Sequence, residues 1–176
     1  MLDIYTIDDP AQREVLRTRA HKVQKVTPRL LALALEMLET MRRANGVGLA
    51  APQVGIRQRF FVAELPADEE EDLPAETYIV FNPEIVKSSG EQVGTEGCLS
   101  IPGYVGEVAR AAEITVKGID ETGRPVRHKA EGYLARVFQH EIDHLDGVLY
   151  TDRLTDPATY RPVAVGQEEA EEAAAA

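Results

Sequence analysis

Residues Gln139 to Gly147 read QHEIDHLDG and carry two histidines, His140 and His144, four positions apart. On a helix that spacing puts both imidazoles on one face, one turn above the other. Two rings so placed can grip a single metal ion, with Glu141 beside them to handle protons. Two ligands do not complete a site, and the pattern alone also fits a solvated charged helix with one or two core histidines. The only cysteine, Cys98, lies upstream in EGCLSIPG (residues 96–103), in extended surroundings. A buried small hydrophobe is the plain reading of a single cysteine. A thiolate carried on a strand could instead close on the helical pair. That would give a Cys-His-His set with one position left for water, the open arrangement of a catalytic ion. A third segment, GVGLAAPQVG (46–55), fails as a dinucleotide loop, because a helical stretch precedes it and Pro52 interrupts the helix that should follow. What remains is a tight structural turn, or a Gly-rich strand or loop that lets backbone approach a ligand and ends in a polar amide, Gln53.

The elements that must position these groups follow from periodicity. Asp9-Pro10 has the form of an N-cap and first helical residue, opening a short helix through Ala20. Thr27-Pro28 repeats the device. The helix it opens carries Leu30, Ala34, Met37, Leu38 and Met41 at helical spacing until Asn45-Gly46 stops it, and its methionines are expected to fill core. Residues 59–65, 77–86 and 112–120 are rich in β-branched and aromatic side chains and predict strands. A turn at 121–123 leads to a return strand at 124–132, on which His128 alternates with charged neighbours and is expected to face solvent. After Gly132 the helical period resumes and ends at Gly147. Helices, then antiparallel strands, then a helix packed on them make an α+β chain.

The chain has 176 residues, 44% hydrophobic and 28% charged, which suits one soluble domain with a real core. The N-terminal stretch has neither the basic nor the apolar region of a secretory signal, and no apolar run is long enough to span a bilayer. A cytoplasmic location is expected. A net charge of −11 argues against general affinity for DNA or other nucleic acid. Much of the acid falls in two runs, 67–76 and 167–176, which read as a solvated loop insertion and a mobile tail.

GVGLAAPQ, EGCLS and QHEIDH, in this order and spacing, resemble the three signature motifs of bacterial peptide deformylases, and the order of elements agrees from residue 1 to about 162. The resemblance implies one catalytic domain over residues 1–162, with 163–176 as an acidic, disordered tail. It implies an amide hydrolase that removes the formyl group from N-formylmethionine at the start of nascent polypeptides and releases formate. Cys98, His140 and His144 would be the metal ligands, and metal-bound water the nucleophile. Glu141 would be the general base and then acid, with Gln53 and the Leu99 backbone N–H as the oxyanion hole. The implied ion is Fe(II), with zinc, nickel or cobalt as substitutes. Glu96 and Arg110 are expected to pair behind Cys98, the alternative being two unrelated surface charges.

For the methionine side chain the expected pocket is Val47, Tyr133, Val137 and the aliphatic stem of Arg136. The last three precede His140 by seven, three and four residues in a helix and so share its face. The backbone of Val47 and Gly48 is expected to pair with the peptide as an added strand. Some family members dock on the ribosome through a basic C-terminal extension. Residues after Pro162 hold four Glu and no Lys or Arg, so that tail is not expected to do so here. The basic side chains Arg13, Arg17, Arg19, Lys22 and Lys25 are read first as a solvated helix face, with a ribosome contact through this N-terminal third as the alternative. Two other readings stay open. One is a zinc peptidase taking Asp146, Asp152 or Asp156 as third ligand; the other is a closed structural staple completed by His21 or Glu96.

Overall fold

The computed structural model describes residues 1–67 and 74–163. Most of the acidic run at 67–76 and all but the first residue of the expected tail therefore lie outside the described residues.

Helix α1 spans Pro10–Leu16 and α2 spans Pro28–Arg43. Both begin as expected: the Asp9 carboxylate accepts from the Ala11 and Gln12 N–H groups, and the Thr27 hydroxyl from Leu30 N–H. Helix α1 is shorter than the sequence suggested. Beyond Leu16 the backbone is recruited elsewhere, with Ala20 N–H donating to the Leu145 carbonyl at 2.9 Å. Tertiary pairing here overrides local propensity. On α2 the stripe Leu30, Ala34, Met37, Leu38 and Met41 is buried, so both methionines are core filling.

Among the described residues there are eight strands: β1 Gly48–Ala50, β2 Phe60–Leu65, β3 Glu76–Ser89, β4 Gln92–Cys98, β5 Ile101–Arg110, β6 Glu113–Ile119, β7 Pro125–Glu131 and β8 Arg161–Pro162. They form two antiparallel sheets, one ordered β1-β2-β3-β6-β7 and the other β4-β5-β8. Helix α3, Gly132–Leu145, lies against the first sheet. Its Phe138 meets Phe61 edge-on at 5.1 Å between ring centres, inside a cluster that includes Val80, Val116 and Ala130. Gln139 fixes the helix from the side: its amide donates to the Ala111 and Ala135 carbonyls and accepts from Ala111 N–H.

His128 corrects an expectation. It is half-buried, with its ring edge-on to Tyr78 and near Phe138, at 5.4 and 5.9 Å between centres. Alternation along β7 sends Val126, His128 and Ala130 toward α3 and the charged Arg127, Lys129 and Glu131 away from it. The period was legible, but which face met a helix was not.

Candidate metal centre

Three chain segments far apart in sequence supply the site. His140, Glu141 and His144 come from α3. The hairpin of β4 and β5 brings Cys98, whose ladder is regular from Gln92↔Arg110 to Gly97↔Val105 and then slips, pairing Cys98 with Ile101. Such an irregularity re-aims a side chain, and here it delivers the sulfur to the helix. Cys98 Sγ lies 3.2 Å from His144 Nε2, which lies 3.2 Å from His140 Nε2. Among the described residues these three are the one His, Cys, Asp or Glu group whose ligand atoms all converge, within 4.8 Å of one another.

The donor set fits a metal ion. Bonds of about 2.0–2.3 Å to tetrahedral ligands place donor atoms roughly 3.3–3.7 Å apart, close to what is seen. The ring of His140 is oriented by Glu96, whose Oε2 stands 2.9 Å from Nδ1. With Nδ1–H donating to the carboxylate, the Nε2 lone pair faces the sulfur and the second ring. Burial opposes charge on both rings. At His140 the Cys98 sulfur and the Glu96 carboxylate outweigh it and raise the pKa, whereas at His144 burial and the neighbouring His140 push it down. Two imidazolium ions cannot share this space, but a cation between them would be held by both.

Glu96 is the hub behind the ligands. Its carboxylate accepts from Arg110 Nε and Nη2 at 2.8 and 2.9 Å and from Arg136 Nη1 at 2.7 Å. Burial alone would raise its pKa, but the bonds from Arg110 and His140 outweigh that and hold it well below the usual carboxylate range. Arg110 also pairs with Asp143, which Arg153 grips through two nitrogens at 2.6 and 2.7 Å. The sequence reading placed Glu96 and Arg110 together but missed Asp143, Arg153 and the charged end of Arg136. Nothing in local pattern distinguishes those ion pairs from solvated charges.

Glu141 is 3% exposed, and burial pushes its pKa up to about 7. Among the described residues its Oε2 has no hydrogen-bond partner. The carboxylate fits only because residue 48 is glycine, where a Cβ would lie 2.3 Å from Oε1. Gln53, on the short 3-10 turn Ala51–Val54 after β1, is also buried. Its Oε1 accepts from Ala50 N–H at 2.9 Å, so its Nε2 end is turned toward Cys98 Sγ, 3.6 Å away. Tyr150, not anticipated, lies beside the His140 ring, with 6.3 Å between ring centres.

An open cleft of about 380 Å³ runs over the centre. Val47, Gly48, Gln53, Leu99, Tyr133, Arg136, Val137, His140 and Glu141 all line it, together with Cys98 and Glu96. The guanidinium of Arg136 donates to Glu96. His144 sits beneath, 1% exposed. The rival third ligands are engaged elsewhere. Asp146 pairs with Arg59 and Arg19, Asp152 with Arg17, and Asp156 accepts from Ala158 N–H. Glu96 faces the far nitrogen of His140, so it does not close the set, and His21 is outside the group.

The sequence pattern of the polypeptide deformylase family matches residues 1–159. A peptide deformylase of Roseiflexus castenholzii is 50% identical over 168 residues, spanning 90% of this chain and 91% of the relative. The crystal structure of peptide deformylase from Thermotoga maritima superposes with a TM-score of 0.79 at 44% identity, covering 89% of this chain and 99% of that one. That of a Synechococcus elongatus peptide deformylase in complex with actinonin gives 0.80 at 40% identity, covering 90% and 81%. Fold and site together define a metal-dependent amide hydrolase of mixed α and antiparallel β structure. The chain belongs to the polypeptide deformylase family, hydrolases that remove the N-formyl group from nascent peptides. Among the described residues no helix is long and apolar enough to cross a membrane.

Proposed function

We propose that this chain deformylates N-formylmethionyl polypeptides, with Cys98, His140 and His144 holding Fe(II), for which zinc, nickel or cobalt substitutes. The observation that carries this reading is the convergence of one sulfur and two Nε2 atoms beside a buried carboxylate with a free oxygen. A divalent ion held there supplies Lewis acidity, bringing the pKa of water toward neutrality and polarising a carbonyl. Glu141 then has two tasks. Its carboxylate accepts a proton from water as the oxygen bonds to the formyl carbon, and its acid form gives that proton to the amine nitrogen as the C–N bond breaks. A carboxyl with a pKa near the working pH suits both directions. Gln53 Nε2 and the Leu99 N–H donate to the formyl oxygen as negative charge grows on it.

The methionine side chain enters the cleft against Val47, Tyr133 and Val137. An apolar wall selects modestly, since one methylene is worth about 1–3 kcal/mol. Among the described residues strand β1 is the last in its sheet, paired on one edge only, with the Val47 carbonyl accepting from Glu64 N–H. The other edge is free to take the peptide as an added strand. Actinonin, bound to the Synechococcus relative, is expected to occupy the same cleft. A formate-release assay on formyl-Met-Ala-Ser beside acetyl-Met-Ala-Ser tests the reading. Cleavage of the first alone supports it, and equal cleavage or none refutes it.

A further inference from the structure

Ser100 follows Cys98 and Leu99 at the turn between β4 and β5, is wholly buried, and has no part in holding the metal or moving the proton. Its hydroxyl accepts from Gln53 Nε2 at 3.1 Å. A primary amide is planar, with its two N–H bonds about 120° apart, so engaging one hydrogen fixes the direction of the other. The opposite end is fixed too, because Gln53 Oε1 accepts from Ala50 N–H. With Ser100 holding the first hydrogen, the second can point only toward the side of Cys98, where Nε2 lies 3.6 Å from Sγ.

The backbone around this contact is braced from one direction. The extended N-terminal stretch before α1 donates from Tyr5 N–H to the Gln53 carbonyl at 2.7 Å and from Ile7 N–H to the Ser100 carbonyl at 3.1 Å. Two donors on one stretch thus tie the 3-10 turn bearing Gln53 to the hairpin turn bearing Leu99 and Ser100. Gly55 lets that stretch lie close, since a Cβ there would meet the Tyr5 hydroxyl at 2.5 Å.

We infer that Ser100 is a positioning residue for the oxyanion donors: its hydroxyl aims the Gln53 amide, and its carbonyl, held by Ile7, sets the spacing between Gln53 and Leu99 N–H. This rests on the oxyanion role proposed above for Gln53. Donors aimed at developing charge act in turnover more than in binding the ground state. Ser100→Ala should therefore lower kcat about tenfold with KM changed less than about twofold, a fraction of the loss of 10² or more expected on deleting a donor outright.

The deciding measurement is a double-mutant cycle with Gln53→Ala, joined to NMR of protein labelled with 15N at glutamine side chains. We expect Ser100→Ala to have almost no further effect on kcat in the Gln53→Ala background, metal content to match the parent, and the Gln53 amide protons to exchange with solvent about tenfold faster when the hydroxyl is gone. An equal loss of kcat in both backgrounds, or unchanged kcat and exchange in Ser100→Ala, overturns the inference. If Gln53→Ala itself leaves kcat intact, the oxyanion reading fails instead, and the exchange rates still report whether the hydroxyl holds the amide. Ser100→Gly makes the same deletion if the alanine variant does not fold.

Discussion

At Glu141 a buried carboxylate leaves Oε2 without a partner among the described residues, as the nearby His144 does its Nδ1. That is costly for stability and is retained where a proton must move. Glu141→Ala is expected to keep the bound metal while turnover falls by about 10² to 10⁴. Metal analysis and formate release on one preparation check it, and loss of the ion together with activity would point to a structural role. Gly48→Ala should also impair turnover, because its Cβ would occupy the space of Glu141 Oε1. Here the expected signature is a changed pH profile with the ion still present. Cys98→Ala should lose iron and activity together, and a variant that keeps both would remove the sulfur from the ligand set. The convergence of Cys98, His140 and His144 beside Glu141 was legible because chemistry restricts residue type and the helix restricts spacing. Ser100 and Tyr150 were not, since a serine and a tyrosine carry no sign of what they will touch.

Among the elements, the β4–β5 hairpin and α3 meet through charge rather than hydrocarbon. Glu96 on β4, Arg110 on β5, and Arg136 and Asp143 on α3 are all buried and mutually paired. Breaking such a set by removing one partner costs about 3–5 kcal/mol. Glu96→Gln is therefore expected to be clearly destabilised at neutral pH. The pH dependence has a definite sign. The folded pKa of Glu96 lies below the unfolded one, so the unfolded chain takes up the proton first as pH falls. Its contribution is complete above the unfolded value of about 4.3 and is lost as pH falls from there through the folded value. Urea unfolding of the parent should weaken more steeply than that of Glu96→Gln between about pH 5 and 3, and parallel curves would exclude Glu96 as the cause. The strands themselves were partly readable. β2, β3 and β6 follow their β-branched runs and β7 its alternation, whereas β4 and β5 hold four glycines and scattered charges and gave no comparable signal. Their pairing depends on the long-range partners just named.

For the whole molecule, an ion held by Cys98, His140 and His144 would join the two sheets, since Cys98 belongs to one sheet and the histidines to the helix lying on the other. An ion that binds only the folded form stabilises it by mass action, about 2.7 kcal/mol when its concentration is one hundred times Kd. Chelation should lower the melting temperature of the parent and leave that of Cys98→Ala unchanged, as calorimetry would show. Equal shifts in both would locate the ion elsewhere. The iron form should lose activity in air and the nickel form resist, while equal decay would argue against iron as the working ion.

The order in which the site residues occur along the chain has its own consequence. Gln53 and Cys98 precede, and two of three donors arrive only with the terminal helix. During synthesis, at about 5–20 residues per second, strands β1 to β7 can pair while the sulfur still lacks the imidazoles. On the ligand set proposed above, an ion can be held only once residue 144 has cleared the ribosome, and a partly made chain has no catalytic power to misdirect.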